Sequence, residues 1–186
     1  MKTAFIFSEL FEQFQAYEGY PWSFARSRAT YDLCRHFKLL NNKQSYTLTP
    51  HPALRQELET YHTKPYLDLL QRANNGIFEE YMLMSGIGTL ECPVYKGCHD
   101  YHALACGATL LASDLIEEGV VQVVFSPTGG FHHAGTDFGA GFCYLNDINI
   151  AIDQLVKKGR RVFYVDLDAH HGDQVQEAWQ EISNHL

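Results

Sequence analysis

Residues Arg161-Val-Phe-Tyr-Val-Asp-Leu-Asp-Ala-His-His-Gly-Asp173 combine a strand pattern with a cluster of ionisable groups. Four consecutive apolar residues, Val162 to Val165, predict a buried strand. Five side chains that can ionise follow at once: Asp166, Asp168, His170, His171 and Asp173. Gly172 predicts a turn, after which Asp173 can cap a helix that runs toward Trp179. The stretch therefore predicts an α/β fold with a polar site at the end of a strand.

The position and composition of this polar cluster favour a metal site. Open α/β sheets bind ligands beyond the carboxyl ends of their strands. Removing several carboxylates and imidazoles from water is costly unless an ion or mutual hydrogen bonds compensate. Asp166 and Asp168 alone could be a turn and a helix cap. The addition of His170 and Asp173 makes a metal site the better interpretation.

A second group of polar residues lies about thirty residues upstream. The apolar run Val120 to Phe125 predicts another strand, and it leads into the Gly-rich loop Ser126-Pro-Thr-Gly-Gly-Phe-His-His-Ala134. Parallel strands would bring His132 and His133 to the same sheet edge as the Asp/His cluster. Each histidine needs an acceptor that orients its ring, and Asp166 and Asp173 are the candidates.

Strand and helix patterns alternate along the rest of the chain. Residues 3–7 predict a first strand, and hydrophobic periodicity predicts helices over residues 24–37, 50–61, 64–72, 100–118 and 144–158. The order strand 120–125, helix 144–158, strand 161–166 predicts a right-handed crossover unit. These patterns predict one α/β domain.

Three motifs resemble those of the zinc-dependent histone deacetylase superfamily. They are Gly129-Gly-Phe-His-His-Ala134, Gly139-Ala-Gly-Phe-Cys-Tyr-Leu-Asn-Asp147 and Val165-Asp-Leu-Asp-Ala-His-His-Gly-Asp173. Weaker similarity extends back through Gly88 to Pro93, Tyr61-His62, Tyr66-Leu67 and Arg26, to about residue 19. The resemblance implies a three-layer α/β/α fold with a mostly parallel sheet, as in arginases and deacetylases. It implies removal of an acetyl or other acyl group from a lysine-like amine.

The resemblance also implies a role for each matching residue. Asp168 and His170 match two of three zinc ligands, and the backbone carbonyls of Asp166, Asp168 and His170 match a monovalent-cation site, usually potassium. His133 matches the general base, with Asp173 as its orienting carboxylate, and His132 matches the companion histidine paired with Asp166. On the substrate side, Phe142 matches a wall of the acyl-lysine tunnel with the Gly141 carbonyl beside it, and Arg26 loosely matches an exit-channel arginine.

Two departures from the family pattern bear on activity. Glu91 stands where the family usually has a substrate-binding aspartate. The chain has about half the length of family catalytic domains, so residues 1–186 are expected to be the amino-terminal part of a single domain. The third zinc ligand, the second tunnel aromatic and the transition-state tyrosine have no matching motif. We therefore expect the 186-residue chain alone to have little or no activity.

Composition narrows the choice of partners. The net charge of −8, with 14 basic and 22 acidic residues, makes nucleic acid a poor partner. Five cysteines without a Cys-x-x-Cys pair predict neither a disulfide framework nor a cysteine zinc site. No signal peptide or membrane span is predicted, so the cytoplasm is the expected location. The expected substrates are an acyl-lysine protein or peptide, or an acylated polyamine.

Two other functions remain open from the sequence. Asp168-Ala-His170 is similar to a ligand run of the arginase family, which would make the protein a dimanganese ureohydrolase, although the upstream histidine pair fits deacetylases better. The other alternative is a truncated, non-catalytic homologue that acts as a binding module or as half of a split site. Self-association or a complementing chain would then complete the site.

Overall fold

The computed structural model describes residues 1–14, 24–40 and 42–183 of the chain, with side chains as far as Gln180. The start of the family resemblance near residue 19 and the last three residues lie outside the described residues. None of the helices in the described ranges is long and apolar enough to cross a membrane.

The described chain contains three strands, six α-helices and two 3-10 helices. The strands are β1 (Thr3–Ile6), β2 (Ser45–Leu48) and β3 (Val123–Phe125). The helices are α1 (Arg26–His36), α2 (Arg55–Leu58), α3 (Lys64–Asn74), α4 (Cys98–Glu117), α5 (Asp147–Lys157) and α6 (Asp173–Ser183), and the 3-10 turns span Glu9–Gln13 and Glu80–Ser85.

The three strands form a parallel sheet in the order β2-β1-β3. Thr3 pairs with Ser45 on one side and with Val123 on the other. Helix α1 packs on the sheet through Tyr31, whose ring stacks on Phe7 at 4.3 Å between centroids. The predicted α/β fold with parallel strands is confirmed, although β2 was not predicted.

Helix α4 lies at the centre of the molecule. Eleven of its 20 residues are buried, and it contacts β1, β3, α3 and α5. The predicted helix over 100–118 is thus confirmed, and Gly119 follows its end in the left-handed conformation, at φ 69°. The predicted helix over 50–61 is mostly wrong, because only α2 forms there.

The prediction of a buried strand over residues 161–166 is wrong. These residues form no strand, and Phe163 and Val165 are 91% and 59% exposed. A strand needs a neighbour that satisfies its backbone N–H and C=O groups. No described strand lies beside this segment, so its apolar sequence remains exposed and the crossover unit is incomplete.

Two buried histidines make the stability of the fold depend on pH. Burial lowers the pKa of His62 and of His102 to about 4. In the unfolded chain both titrate near 6.5, so the unfolded state binds protons first as the pH falls. Stability from these groups is fully present above about pH 6.5 and is lost on acidification toward pH 4.

We therefore expect urea unfolding to give a free energy lower at pH 5 than at pH 7, by about 4 kcal/mol for the two histidines together. The substitution His102→Phe should remove about half of this pH dependence, whereas His36→Phe at the exposed end of α1 should not change it. Equal pH dependence in wild type and His102→Phe would contradict the assignment.

Candidate active site

The loop after β3 carries two adjacent histidines, and each is paired with an aspartate. His132 Nδ1 lies 2.7 Å from Asp166 Oδ2, and His133 Nδ1 lies 2.8 Å from Asp173 Oδ1. The two imidazole rings are 4.1 Å apart between centroids. An ionised carboxylate can only accept hydrogen bonds, so each Nδ1 donates and each Nε2 can exchange a proton elsewhere. The histidine loop and the Asp/His cluster therefore lie together, as the sequence predicted.

The carboxylate of Asp166 is held in its ionised form. Burial by itself raises its pKa, but hydrogen bonds from the Tyr164 hydroxyl, at 2.5 Å, and from His132 lower that pKa to about 2. Burial and the neighbouring Asp166 in turn raise the pKa of the Tyr164 phenol. Tyr164 was not predicted to belong to the site. The alternation of an extended chain could have indicated it, because residues 164 and 166 share a face.

Asp173 is the first residue of α6 rather than its cap. Its Oδ1 accepts hydrogen bonds from His133 and from the Gln174 backbone N–H, the latter at 2.9 Å. Burial raises the pKa of Asp173, but these bonds outweigh burial and lower it. The amino end of a helix also favours a negative charge. Asp173 is therefore a fixed anion behind His133.

Asp168 and His170 lie beside these pairs at an open position. His170 Nδ1 is 2.8 Å from Asp168 Oδ1, and the side chains are 77% and 53% exposed. The His170 backbone N–H also donates to Asp168 and lowers its pKa. A carboxylate oxygen and an imidazole nitrogen suit zinc. Within the described ranges, however, no group of three His, Cys, Asp or Glu side chains could hold a metal ion, so these two are at most part of a donor set.

The candidate substrate-binding residues form a turn next to His133. The Gly141 backbone N–H donates to Glu91 Oε2 at 2.9 Å. Gly141 and Phe142 both have left-handed backbones, at φ 53° and 64°. A Cβ on Gly141 would lie only 2.4 Å from His133 Cδ2. Glycine therefore lets the turn approach the His133 ring.

The substitution Gly141→Ala should destabilise the protein through backbone strain and through collision with His133. Strain alone costs about 1–2 kcal/mol at a left-handed position. Gly119→Ala is the matched control, because Gly119 has φ 69° but nothing within 4 Å of an added Cβ. We expect Gly141→Ala to lower the free energy of unfolding by at least about 1 kcal/mol more than the control. Equal losses in the two variants, measured by urea denaturation, would contradict a close approach to His133.

A buried carboxylate that the sequence reasoning missed holds the histidine loop. Asp147 is 1% exposed and accepts hydrogen bonds from the Gly130 and Phe131 backbone N–H groups, at 3.1 and 2.8 Å, and from the Thr109 hydroxyl at 2.5 Å. Burial raises its pKa, against the effect of these hydrogen bonds. Asp147 thereby joins α4, α5 and the backbone just before His132. An acidic residue in the first turn of a helix is common, so the sequence carried no distinguishing signal.

Asn146 fixes the other end of the same loop. Its side chain caps α5 by accepting from the Asn149 N–H and donates to the Ala134 carbonyl at 3.0 Å. Its backbone N–H donates to His62 Nε2 at 2.9 Å. The segment from Gly130 to Ala134 is therefore anchored on both sides of the two histidines.

Arg26 is the one candidate that the structure leaves apart from this cluster. It is the first residue of α1 and is exposed. Burial raises the pKa of the Tyr101 phenol of α4 to about 12, and the positive charge of Arg26 opposes this rise. Its suggested role in product exit remains a prediction.

Comparison with known proteins agrees with these features. Residues 20–185 match the family described as histone deacetylase domain. The chain is 34% identical to histone deacetylase RPD3 of Saccharomyces cerevisiae and 33% identical to human histone deacetylase 1. The alignments cover 87% of this chain in both cases, but only 37% and 34% of those proteins.

Solved structures give the same result. Two chains described as HDAC homologues, one in complex with SAHA and one from Aquifex aeolicus, superpose with a TM-score of 0.87 and 31% sequence identity. Each alignment covers 96% of this chain and 48% of the solved chain. The chain thus spans less than half the length of the proteins it resembles. The expected arginase/deacetylase-like fold class is confirmed for this part.

Proposed function

Because this chain belongs to the histone deacetylase family, we propose that it forms part of a zinc-dependent hydrolase that removes an acyl group, such as acetyl, from a lysine-like amine. The observation that carries the proposal is the pair of contacts His132–Asp166 and His133–Asp173, at 2.7 and 2.8 Å. By "the complete domain" we mean residues 1–186 together with the polypeptide that supplies the rest of the site.

His133 is the proposed general base. Asp173 accepts a hydrogen bond from the Nδ1–H of His133. The Nε2 of His133 is then free to take a proton from the attacking water and to give it to the leaving amine. At 18% side-chain exposure, His133 is open to a substrate. His132 is more buried, at 7%, and its Nδ1–H donates to the ionised Asp166. We assign His132 an electrostatic role toward the developing oxyanion.

Asp168 and His170 are the proposed zinc ligands in this chain. When bound, zinc would polarise the substrate carbonyl and lower the pKa of a bound water. The carbonyls of Asp166, Asp168 and His170 accept no backbone hydrogen bond from the described residues, which leaves them available to a monovalent cation such as potassium. The third zinc ligand would come from polypeptide outside the described residues.

The substrate side is assigned to the turn beside His133. Phe142 would contact the acyl-lysine chain, with the Gly141 carbonyl beside it, and Glu91 would face the substrate backbone at the rim. Arg26 is assigned to product exit by resemblance alone. The substrate is proposed to be an acyl-lysine protein or peptide, or an acylated polyamine, and the net charge of −8 suits a cationic partner.

A non-catalytic role is the second candidate. It is favoured by the two-residue donor set of Asp168 and His170, since two protein ligands hold zinc weakly. In this case the chain would bind a partner or contribute half of a site. We therefore propose that the isolated 186-residue chain has little or no hydrolase activity.

The test compares the isolated chain with the protein purified from its native cells. Intact mass, metal content and hydrolysis of an acetyl-lysine peptide would be measured on both. The proposal expects one zinc per complete domain and turnover only in the complete domain. Two manganese ions would favour a ureohydrolase, and a native mass of 21.2 kDa without turnover would favour the non-catalytic role. Turnover by the isolated chain that is lost in His133→Ala would disprove its inactivity.

A further inference from the structure

The turn from Ala140 to Cys143 has a strained backbone at its centre. Its ends pair with each other, because the Cys143 N–H donates to the Ala140 carbonyl at 2.8 Å and the Ala140 N–H donates back at 3.2 Å. The two central residues, Gly141 and Phe142, both lie at positive φ, as in a type I′ turn. Glycine adopts this conformation freely, but a bulky phenylalanine does not. The turn therefore holds Phe142 in an unfavourable conformation.

Hydrogen bonds on both sides of the turn fix its two ends. Backbone strain of this kind persists only where surrounding contacts hold the chain in place. Before the turn, the Gly139 N–H donates to the Ser85 carbonyl at 2.9 Å. After the turn, the Tyr66 hydroxyl donates to the Tyr144 carbonyl at 2.8 Å. These contacts lie outside the turn, so its central residues must be held by other contacts.

Glu91 supplies a contact at the centre of the turn. The hydrogen bonds between the ends use the N–H groups of Ala140 and Cys143, so the Gly141 N–H needs a partner elsewhere. Glu91 Oε2 accepts this N–H at 2.9 Å. A carboxylate is a stronger acceptor than a neutral oxygen. The Glu91 side chain therefore fixes the backbone directly beside Phe142.

This contact gives a physical reason for a glutamate at position 91, where the family pattern has an aspartate. The two oxygens of the carboxylate are available for two tasks. Oε2 binds Gly141, while Oε1 has no hydrogen-bond partner among the described residues and stays open to a substrate N–H. An aspartate on the same backbone would hold its carboxylate closer to the main chain, out of reach of the Gly141 N–H. The added methylene therefore makes the contact with the turn possible.

We propose that Glu91 is a positioning residue that fixes Phe142 through the Gly141 N–H and thereby sets the width of the acyl-binding tunnel. This inference rests on the proposed function, in which Phe142 contacts the acyl-lysine chain, and it adds a cause of acyl selectivity. The turn cannot move toward His133, because a Cβ on Gly141 would already lie 2.4 Å from that ring. Loss of the Glu91 contact should therefore widen the tunnel and admit longer acyl groups.

Hydrogen–deuterium exchange of the Gly141 amide, followed by NMR, tests the contact in the 186-residue chain without any measurement of activity. Glu91→Ala and Glu91→Asp should each speed the exchange of this amide by about tenfold. Glu91→Gln should keep it slow, because the amide oxygen of glutamine has the same reach. Glu80→Ala is the matched control. Glu80 is exposed and has no hydrogen bond or ion pair to a described residue, so its loss should leave the exchange unchanged.

Kinetics of the complete domain test the effect on selectivity. Glu91→Asp keeps a carboxylate at the rim but loses the contact with Gly141. The ratio of kcat/KM for a butyryl-lysine peptide to that for an acetyl-lysine peptide should therefore rise at least about threefold. Glu91→Gln keeps the contact but loses the negative acceptor for a substrate N–H. KM should then rise for both peptides, and the ratio should stay as in the wild type.

Two results would overturn the proposal: unchanged exchange of the Gly141 amide in Glu91→Ala, or the same peptide ratio in Glu91→Asp and the wild type. The two measurements also separate this inference from the proposed function. If both peptides are hydrolysed but the exchange does not respond, only the positioning role of Glu91 fails. If the exchange responds but the wild-type complete domain hydrolyses neither peptide, the proposed function fails and the role in selectivity fails with it.

Discussion

The substitution His133→Ala is expected to lower kcat/KM for an acetyl-lysine peptide by about 10³-fold in the complete domain, which is the usual size of a general acid–base contribution. The effect should fall on kcat, because the role proposed for His133 is toward the reacting water rather than in substrate binding. Asp173→Asn should give a smaller loss, because the amide orients the imidazole less firmly than the carboxylate that accepts its Nδ1–H at 2.8 Å. Both are measured by steady-state kinetics across pH.

Two controls separate this effect from loss of the fold or of zinc. His36→Ala removes an exposed imidazole at the end of α1 and should leave kcat unchanged. Zinc content should be the same in His133→Ala and wild type, because His133 is not assigned as a ligand. A His133→Ala enzyme that keeps more than about half of the wild-type kcat/KM would exclude His133 as the general base.

The substitution Asp147→Ala should cause the largest loss of stability of any site change, about 3–5 kcal/mol from unsatisfied buried donors. Three donors, the Gly130 and Phe131 N–H groups and the Thr109 hydroxyl, lose their common buried acceptor. An unsatisfied buried donor costs about 1–3 kcal/mol. The histidine loop should also lose its fixed position, so His132 and His133 should no longer stay paired with their aspartates. Urea denaturation measures the first effect, and NMR of the imidazole N–H protons measures the second.

Thr109→Val is the graded control, because it removes one donor and leaves Asp147 with the two backbone N–H groups. We expect it to cost about 1 kcal/mol and to leave the imidazole signals in place. Asp147→Asn keeps the side-chain volume but replaces one acceptor oxygen with an NH2 group, which would face one of the three donors. Its loss of stability should therefore be intermediate. If Asp147→Ala unfolded within about 1 kcal/mol of wild type, the carboxylate would not anchor the loop.

Local patterns predicted most of the helices and the composition of the site. The periodicity of residues 100–118 and 144–158 led to α4 and α5 within a few residues. Short elements were less well predicted. β2 was missed, and only α2 forms within the helix expected over 50–61. Short strands and helices carry little periodic signal, and their existence depends on neighbours that are distant in sequence.

The sequence by itself named Asp166 and Asp173 as candidate partners of the two histidines, and the family resemblance assigned one to each. His132 and His133 follow one predicted strand, and Asp166 and Asp173 follow another. The second strand does not form in the described residues, yet the two loops meet as predicted. The physical reason is that the turns and glycines of these motifs are determined by local sequence and do not depend on distant neighbours. The motifs also identified the family, which the comparisons then confirmed.

Only the tertiary structure decided which groups are buried and which edges are open. The apolar residues 162–165 predict a buried strand, but burial requires a neighbouring strand, and none is present in the described part of the chain. Conversely, Asp147 has the sequence of an ordinary first-turn acid and becomes an anchor only because α4 and the histidine loop pack against it. Pairing and burial depend on contacts between segments far apart in sequence, and these contacts are set by the packed fold rather than by any one segment.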